Sequence, residues 1–442
     1  MKLGARAGIL AYILALPLFV HGAAAQNVYY RGNAIHLDQG WSADTINRWH
    51  FISQGTALLP YEWFLALEQP AGLHGTTLLS SPANMQRFGF LLEPTDQQYN
   101  RDGLPVGFDK VPIDSDQGKY ACWKGNWLGL SCAVCHTGQI NYHGQQIRIE
   151  GGPAHSDTES FVQQVRAAFA KIFTNPGSRD RFMQRVGAST SKDPAQSLAC
   201  FVEVISSETL FNEQADASRS HSAGFGRLDA HGEGLNRLLA TPLKERKNYA
   251  PRTAPVRFPA LWDTPYFDWV LYNGSVRQPL ARNVIEALGV QAPIKHDTML
   301  KSKVVHAVNM DNLVWGQRAL MDLRSPVWPE RILGRIDPIK VSRGKRLYAM
   351  HCADCHQLID RATHAAGAVR SGTCHEMQIP MVDLNTVGTD RQQAVAFADR
   401  KVSLARFGGP DEIDNYKAAE IVTQNIVGQW IQSIPRQQRA GR

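Results

Sequence analysis

Apolar residues recur at helical spacing in three stretches of this chain. The clearest stretch runs from Phe161 to Phe173 and repeats on one helical face. The segment Ser156–Glu159 before it has the pattern of a capping box, and Asn175–Gly177 after it contains proline and glycine. A capping box satisfies free backbone N–H groups at a helix start, and a Pro-Gly pair disfavours continuation. The pattern therefore predicts a helix between these two signals.

Two further helices are predicted nearer the carboxyl end. Pro279 is suited to a first helical position, and the apolar residues before Gly289 share one face. Asp414 is suited to cap a last helix that carries apolar residues as far as Trp430. Alternation typical of strands is scarce, and only Gln139–Ile149 and Val256–Val276 suggest short strands or loops. We therefore expect a mainly α fold with long ordered loops and few short strands.

The amino end has the pattern of a secretory signal. Lys2 and Arg6 precede an apolar run from Ile9 to Val20, and Ala23–Ala25 forms a small-residue cleavage site. The apolar run is short for a membrane span, and no later segment is apolar for long enough. We expect residues 1–25 to be removed, leaving an exported protein in the periplasm with no membrane attachment.

Two copies of the five-residue pattern C-x-x-C-H are the most informative chemistry in the chain. This pattern attaches c-type haem: two thiols add to the haem vinyl groups, and the adjacent histidine binds the iron. The predicted attachment residues are Cys132, Cys135 and His136 for the first haem, and Cys352, Cys355 and His356 for the second. Covalent haem attachment outside the cytoplasm agrees with an exported chain.

The two motifs begin 220 residues apart, which is more than one small cytochrome domain needs. A boundary near Ile336–Pro338 divides the mature chain into an N-terminal haem domain, 26–335, and a C-terminal cytochrome c-like haem domain, 336–442. Val341–His356 has the pattern of the first helix of a cytochrome c domain. We expect the final helix to cross it, with Trp430 packed near Gly344.

The net charge and the remaining cysteines add little to the expected function. The formal net charge is +7, and it falls to +5 without Lys2 and Arg6. Four haem propionates would bring it near neutral, and no long basic run is present, so we expect no nucleic-acid partner. Beyond the motifs, Cys122, Cys200 and Cys374 allow one disulfide and one free thiol, whose pairing the sequence leaves open.

The sixth iron ligands decide between electron transfer and reaction with small molecules. For the second haem the candidates are His364, His375, Met377 and Met381, of which Met381 is our choice because a thioether raises the haem potential. For the first haem, we assign the nearby His143 and His155 to surface or hydrogen-bonding roles.

Two candidate catalytic residues lie between the motifs. Glu286, on the helix that Pro279 opens, is a candidate acid–base group in a distal pocket, although a solvated helix face would also explain it. Six aromatic residues fall within Phe258–Tyr272. Most of them would fill the core, but one could stand between the haems and relay electrons.

An ordered set of stretches resembles the bacterial dihaem cytochrome c peroxidase superfamily, and most closely the branch that contains the dihaem rubber oxygenases. Besides the two motifs, the stretches are Gln54–Leu65, Gly103–Phe108, Cys132–Gly138, Ile147–Pro153, Phe258–Trp262, Phe267–Trp269, the turn Tyr272–Val276, Arg282–Val290 and Val387–Asp390. They cover most of the mature chain.

The resemblance implies that His136 holds the reactive haem and that His356 holds an electron-relay haem. It places Tyr272 between the haems, where a tryptophan is usual. A structural calcium ion is a further candidate cofactor. The C-terminus departs from the pattern, because the second aromatic-His-Asn-Gly-Ser-Val turn of many relatives is missing here. The sixth ligand of the second haem must therefore come from another segment.

We expect a periplasmic dihaem oxidoreductase that reduces hydrogen peroxide at the first haem with electrons relayed by the second. The electron donor would be a small periplasmic cytochrome or cupredoxin. Three alternatives remain: an oxygenase that cleaves an unsaturated compound with dioxygen, an electron-transfer cytochrome without enzymatic activity, and a maturation enzyme that oxidises a partner protein.

Overall fold

The computed structural model describes residues 28–70, 77–116, 119–189, 193–215, 223–241, 243–358 and 377–435. Across these ranges the chain is mainly helical, as the apolar spacing predicts. The predicted signal peptide, His364, Cys374 and His375 lie outside the described residues. No helix within those ranges combines the length and the apolar character that a membrane crossing needs.

The described residues contain fifteen α-helices, numbered here in chain order. They are α1 (Ala43–Phe51), α2 (Tyr61–Ala66), α3 (Pro82–Arg87), α4 (Lys119–Cys122), α5 (Thr158–Thr174), α6 (Pro176–Ser189), α7 (Pro194–Ala215), α8 (Ala230–Leu239), α9 (Pro279–Gly289), α10 (Met310–Asp322), α11 (Glu330–Leu333), α12 (Pro338–His351), α13 (Leu384–Val387), α14 (Gln392–Ala398) and α15 (Asn415–Ser433).

The described residues also contain short strands, which form two small sheets and two two-stranded ribbons. They are β1 (Tyr29–Arg31), β2 (Ala34–His36), β3 (Leu59–Pro60), β4 (Phe108–Ile113), β5 (Gly125–Leu130), β6 (Thr137–Tyr142), β7 (Gln145–Glu150), β8 (Arg227–Leu228), β9 (Val256–Arg257), β10 (Lys401–Val402) and β11 (Ile413–Asp414). The larger sheet has the order β1-β2-β7-β6, and β2 pairs with β7 in parallel. The three-stranded sheet β3-β5-β4 is antiparallel, and β8–β9 and β10–β11 form the two ribbons.

The three predicted helices are confirmed, with one correction at a cap. α5 ends at Thr174 as expected, and Pro176 opens α6 directly afterwards. Its N-cap is Asp157, whose side chain accepts a hydrogen bond from the Ser160 N–H, and not Ser156. Ser156 instead donates its hydroxyl to the Val134 carbonyl at 2.9 Å, next to the first C-x-x-C-H motif. α9 and α15 begin after Gln278 and Asp414, where the sequence places their starts.

Apolar burial divides the described residues into three clusters. The largest surrounds the fully buried Trp63 and Trp127 and includes the apolar face of α5. A second cluster joins α8, α9, α10 and α15, and a small third one packs against the first motif around Trp49 and Leu261. Since α9 and α15 share a core, apolar packing continues across the expected boundary at Ile336–Pro338.

The predicted crossing of the final helix over the helix that precedes the second motif is wrong. α12 has no buried residue, and a side chain added at Gly344 would meet no atom within 4 Å. Trp430 instead donates its indole N–H to the Asp311 carboxylate at 3.0 Å. The reason is that α15 buries its apolar face, including Val422 and Ile426, in the core that it shares with α9.

Candidate active site

The first C-x-x-C-H motif forms a tight turn between β5 and β6. Cys132–Val134 is a single 3₁₀ turn, in which the backbone N–H of His136 donates to the Cys132 carbonyl at 2.9 Å. Gly107 lies against this turn with a φ of +82°, and an added Cβ would stand 2.2 Å from the Val134 nitrogen. Only glycine fits there, because it allows both the conformation and the close approach. Two thiols and one imidazole thus leave the same short turn.

A backbone carbonyl from a distant segment orients the imidazole of His136. Its Nδ1 lies 2.8 Å from the carbonyl oxygen of Pro259, which can only accept, so Nδ1 carries the proton. Nε2 then keeps the lone pair with which a neutral imidazole binds a metal. Burial lowers the pKa of His136 to about 4, and the bond to Pro259 opposes this effect only in part. The ring therefore presents a neutral nitrogen ligand.

Both thiols of the turn are held in the protonated form. Burial raises the pKa of Cys132 to about 11, and the Glu286 carboxylate acts in the same direction. Burial likewise raises the pKa of Cys135, with further contributions from Cys132 and Glu286. Gln54 holds the Cys132 sulfur, with its Nε2 2.9 Å away. Neither thiol is in a disulfide, so both are available for thioether bonds.

Three pockets lie along α9 beside this motif. Cys132 and His136 line a small pocket of about 20 Å³ together with Arg282 and Glu286. The same arginine and glutamate also line the main chamber of about 380 Å³, which is bordered by α8, α9, α15 and the hairpin before α9. A third pocket of about 120 Å³ reaches Cys135 and shares Gly289 of α9 and the following Val290 with the main chamber. Helix α9 therefore contributes to the wall of all three pockets.

Glu286 is the acidic residue whose charge raises the pKa of both motif thiols. Burial raises its pKa above the ordinary value, although the Arg282 guanidinium, 3.9 Å away, opposes the shift. Its side chain is 42% accessible, and it lines the main chamber. The candidate acid–base residue from the sequence thus lies on the wall of the predicted reactive site.

Tyr272 lies at the tip of a hairpin closed by the Val270–Val276 pairing. Its side chain is 59% exposed, and burial of the rest raises its pKa. The neighbouring Leu271 and Ser275 line the chamber, whereas Tyr272 does not. The expected aromatic position is therefore present beside the first site, with its ring on the outer side.

The second C-x-x-C-H motif makes the same turn in different surroundings. The backbone N–H of His356 donates to the Cys352 carbonyl at 2.8 Å, as in the first motif. The Tyr348 hydroxyl donates to the His356 carbonyl and fixes the end of α12 against the turn. Cys352, Cys355 and His356 are all exposed. Among the described residues, the turn of the first motif is thus repeated without the surrounding walls of the first site.

Met381 lies against the hairpin that carries Tyr272. A Cβ added at Gly274, whose φ is +58°, would stand 2.3 Å from the Met381 methyl carbon. Met377, four residues earlier, is buried and exchanges backbone hydrogen bonds with Tyr266 and Asp268. Met381 itself is 58% exposed, and its ligand role stays a prediction. The structure thus ties the segment after the second motif to the wall of the first site.

A buried histidine–glutamate–histidine cluster behind the first motif has no counterpart in the sequence interpretation. Glu150 accepts from His36 Nδ1 and His50 Nε2, both at 2.9 Å, and all three residues are fully buried. Glu150 faces Thr137 across the β6–β7 hairpin, one residue after His136. Burial would raise the pKa of Glu150, but the two imidazoles hold it well below its usual range.

Other supporting residues were missed for a simple reason. Gln54, Pro259 and Arg282 lie in stretches that carry the family resemblance, but nothing in their local pattern indicates a role. Pro259 acts through its backbone carbonyl, which every residue possesses. Sequence position within those shared stretches was the only available signal.

The remaining predictions concern cysteine pairing, the surface histidines and calcium. Cys122 and Cys200 form a disulfide, which settles the pairing that the sequence left open. His143 and His155 are exposed, in line with the surface roles assigned to them. Among the residues that the structure describes, no three His, Cys, Asp or Glu side chains converge as a metal site, and calcium stays a prediction.

Comparison with known proteins identifies one clear relative. No protein-family model and no solved structure matches the chain. The uncharacterized protein y4iJ of Sinorhizobium fredii is 31% identical, over 91% of this chain and 72% of its own length. Similarity at this level across nearly the whole chain shows common descent, and the chain therefore belongs to the same protein family as y4iJ.

Proposed function

We propose that this protein is an exported dihaem c-type oxidoreductase that reduces hydrogen peroxide at the first motif. The observation that carries the proposal is the hydrogen bond from His136 Nδ1 to the Pro259 carbonyl. It leaves Nε2 free to bind a metal at a small pocket that the free Cys132 thiol and the Glu286 carboxyl group also line, while the free Cys135 thiol lines a neighbouring pocket. This combination fits a covalently bound haem, with mainly α haem domains on either side of Ile336–Pro338.

The residues that would hold the first haem are Cys132 and Cys135 through thioether bonds and His136 through Nε2. A haem bound there supplies an iron that binds peroxide and accepts electrons. The neutral thiols and imidazole suit this role, because thioether formation and iron binding need no charged group to be neutralised. The donor atoms and their protonation thus fit the cofactor.

Protein residues would supply proton transfer at this site. Cleavage of the peroxide O–O bond requires a proton at the leaving oxygen, and Glu286 would carry it there from the other peroxide oxygen. Arg282, 3.9 Å from Glu286, would stabilise negative charge that develops in the cavity. The apolar walls of the chamber would limit access of water, which strengthens both effects.

The second motif would hold a haem that delivers electrons. Cys352, Cys355 and His356 repeat the attachment turn, and their exposure suits exchange with a small periplasmic cytochrome or cupredoxin. Met381 would be its sixth ligand, and Tyr272 would relay electrons toward the first site. The contact between Met381 and Gly274 supports this arrangement, because it joins the two segments.

One observation favours a second candidate, an oxygenase that cleaves an unsaturated apolar compound with dioxygen. The chamber beside Glu286 is larger than peroxide requires, and apolar side chains line most of it, among them Leu235, Ile285 and Phe397. A cavity of this size and character suits an organic ligand.

The test uses the full protein matured with both haems and supplied with peroxide and a reduced electron donor. We expect oxidation of two donor equivalents for each peroxide consumed, and no oxygen uptake. Oxygen uptake that depends on an alkene and needs no donor would replace peroxidase by oxygenase activity. Fully loaded protein that neither consumes peroxide nor binds small ligands would overturn the enzymatic proposal.

A further inference from the structure

We propose that α12 forms the docking surface for an acidic electron-donor protein. The inference rests on the proposed function, because it concerns the protein that would reduce the second haem. The described structure supports it through charge, exposure and the position of the second motif.

The charge of α12 has one sign. Its fourteen residues include four basic and no acidic side chains, and all four are exposed. They are Lys340, Arg343, Lys345 and Arg346. None of them takes part in an ion pair within the described chain, whereas many surface cations elsewhere do, such as Lys110 with Asp102. Asp337, just before the helix, is used as its N-cap. A concentrated positive field therefore faces solvent.

Apolar side chains are exposed on the same helix. Ile339 is 78% exposed and Met350 is 69% exposed, and Val341 and Leu347 are exposed as well. Protein interfaces commonly combine an apolar centre with a charged rim, and contiguous exposed apolar groups mark contact sites. α12 has both parts of this pattern along one short helix.

The kind of partner is inferred from the second motif, which lies at the C-terminal end of α12. α12 leads directly into the turn of Cys352, Cys355 and His356, which is exposed too. A protein bound on α12 would therefore touch the attachment site of the second haem. Opposite charges steer association and raise its rate at low ionic strength. An acidic redox protein satisfies both conditions, whereas an anionic lipid surface satisfies only the charge condition.

The experiment measures reduction of the second haem by stopped-flow spectroscopy in the full holoprotein. The probes are a reduced acidic cupredoxin and, for opposite charge, a reduced basic monohaem cytochrome. With the acidic probe we expect the second-order rate constant to fall about tenfold or more between ionic strengths of about 0.01 M and 0.15 M. With the basic probe the constant should rise over the same range.

A matched pair of variants locates the effect. Lys340→Gln/Lys345→Gln should lower the low-salt rate constant for the acidic probe by about three- to tenfold. Lys301→Gln/Lys303→Gln removes the same charge from two exposed lysines on another segment and should change it less than about twofold. Equal effects of the two pairs, or a rate independent of salt, would overturn the docking surface.

Two further measurements separate the other outcomes. Binding to phosphatidylglycerol vesicles that is weakened by the Lys340/Lys345 pair and not by the control would reassign the surface to a membrane. Haem content and reduction by dithionite are measured first. Protein that lacks the second haem overturns the proposed function together with this inference. Protein with both haems and peroxide turnover, but no response to the substitutions, overturns the inference alone.

Discussion

The two C-x-x-C-H motifs have the same backbone turn and opposite surroundings. In each, the histidine N–H donates to the carbonyl of the first cysteine, at 2.9 Å in one and 2.8 Å in the other. The first turn is partly enclosed, since it borders a small pocket that Arg282 and Glu286 also line, and the Pro259 carbonyl orients its imidazole. The second is exposed at the end of a helix that buries no residue.

This difference separates what the local sequence determines from what the tertiary structure determines. Five consecutive residues are enough to set the attachment turn, because its hydrogen bonds are local. The surroundings come from segments more than a hundred residues away, such as those of Pro259 and Glu286. A shielded site with a carboxyl group suits proton-coupled reaction of a small molecule, and an exposed site suits electron exchange with proteins.

The largest expected effect comes from replacing the two cysteines of one motif at a time, since each pair would hold one of the proposed haems. Cys132→Ser/Cys135→Ser should abolish peroxide turnover and the binding of small ligands such as carbon monoxide, because the first site would lose its proposed haem. Cys352→Ser/Cys355→Ser should abolish turnover with a protein donor but keep ligand binding at the first site. Optical spectra with carbon monoxide distinguish the two. Ligand binding that is lost in the second variant and kept in the first would reverse the assignment of roles.

Replacement of the cavity carboxyl group should have the next largest effect. Glu286→Gln should lower kcat/KM for peroxide by about a hundred- to ten-thousandfold, the range for loss of an acid–base group. Glu420→Gln is the matched control, since Glu420 of α15 lines the same chamber without acting on the motif thiols. Steady-state kinetics at unchanged haem content checks this. Equal losses in both variants would remove Glu286 from the reaction.

The disulfide should stabilise the region of the first motif. Cys122 and Cys200 close a loop with a sequence separation of 78. Closure of a loop of this length contributes roughly 4 kcal/mol to the free energy of unfolding. Cys122→Ala/Cys200→Ala should lower that free energy accordingly in urea titrations followed by tryptophan fluorescence. The urea concentration at which the optical spectrum of the proposed second haem changes should be the same in the variant as in the parent protein.

A buried carboxyl group should make the first region pH-dependent. Burial raises the pKa of Asp109 to about 7, and the Ser53 hydroxyl opposes this in part. The folded state therefore keeps a proton that the unfolded state releases near pH 4. The contribution of Asp109 to stability is therefore greatest below that pH and falls as pH rises toward 7, by about 1.4 kcal/mol per unit at most.

The Asp109→Asn variant tests this account. It should lose most of that pH dependence and gain about 2 kcal/mol over the parent at pH 8. Urea titrations at pH 5 and pH 8 measure the difference. A parent protein whose stability rises from pH 5 to pH 8 by the same amount as that of the variant would show that Asp109 is ionised when folded.

The sequence predicted those parts of the fold that rest on local signals. The ends of α5, α9 and α15 follow from caps, prolines and glycines near their boundaries. The β4–β5 pairing was missed, because Asp109 and Pro112 interrupt the apolar pattern of β4 and glycines dilute that of β5. The packing of α15 was also mispredicted, since its apolar face suits either helix partner.

For the candidate site, residue types with distinctive chemistry could be found and their supports could not. The C-x-x-C-H cysteines and histidines and Glu286 stand out in the sequence. The cluster of His36, His50 and Glu150 does not. Each histidine lies at least 100 residues from Glu150 in the sequence, so no local spacing marks the cluster. Burial of such polar groups is a property of the whole fold.

Electron paramagnetic resonance of the ferric protein with both haems attached tests the central contrast most directly. A vacant or labile sixth position at the enclosed site gives a high-spin haem, and Met381 or another strong ligand at the exposed site gives a low-spin haem. The account predicts one signal of each kind, with the high-spin signal retained in Cys352→Ser/Cys355→Ser. Two low-spin signals, or a protein without covalently bound haem, would contradict it.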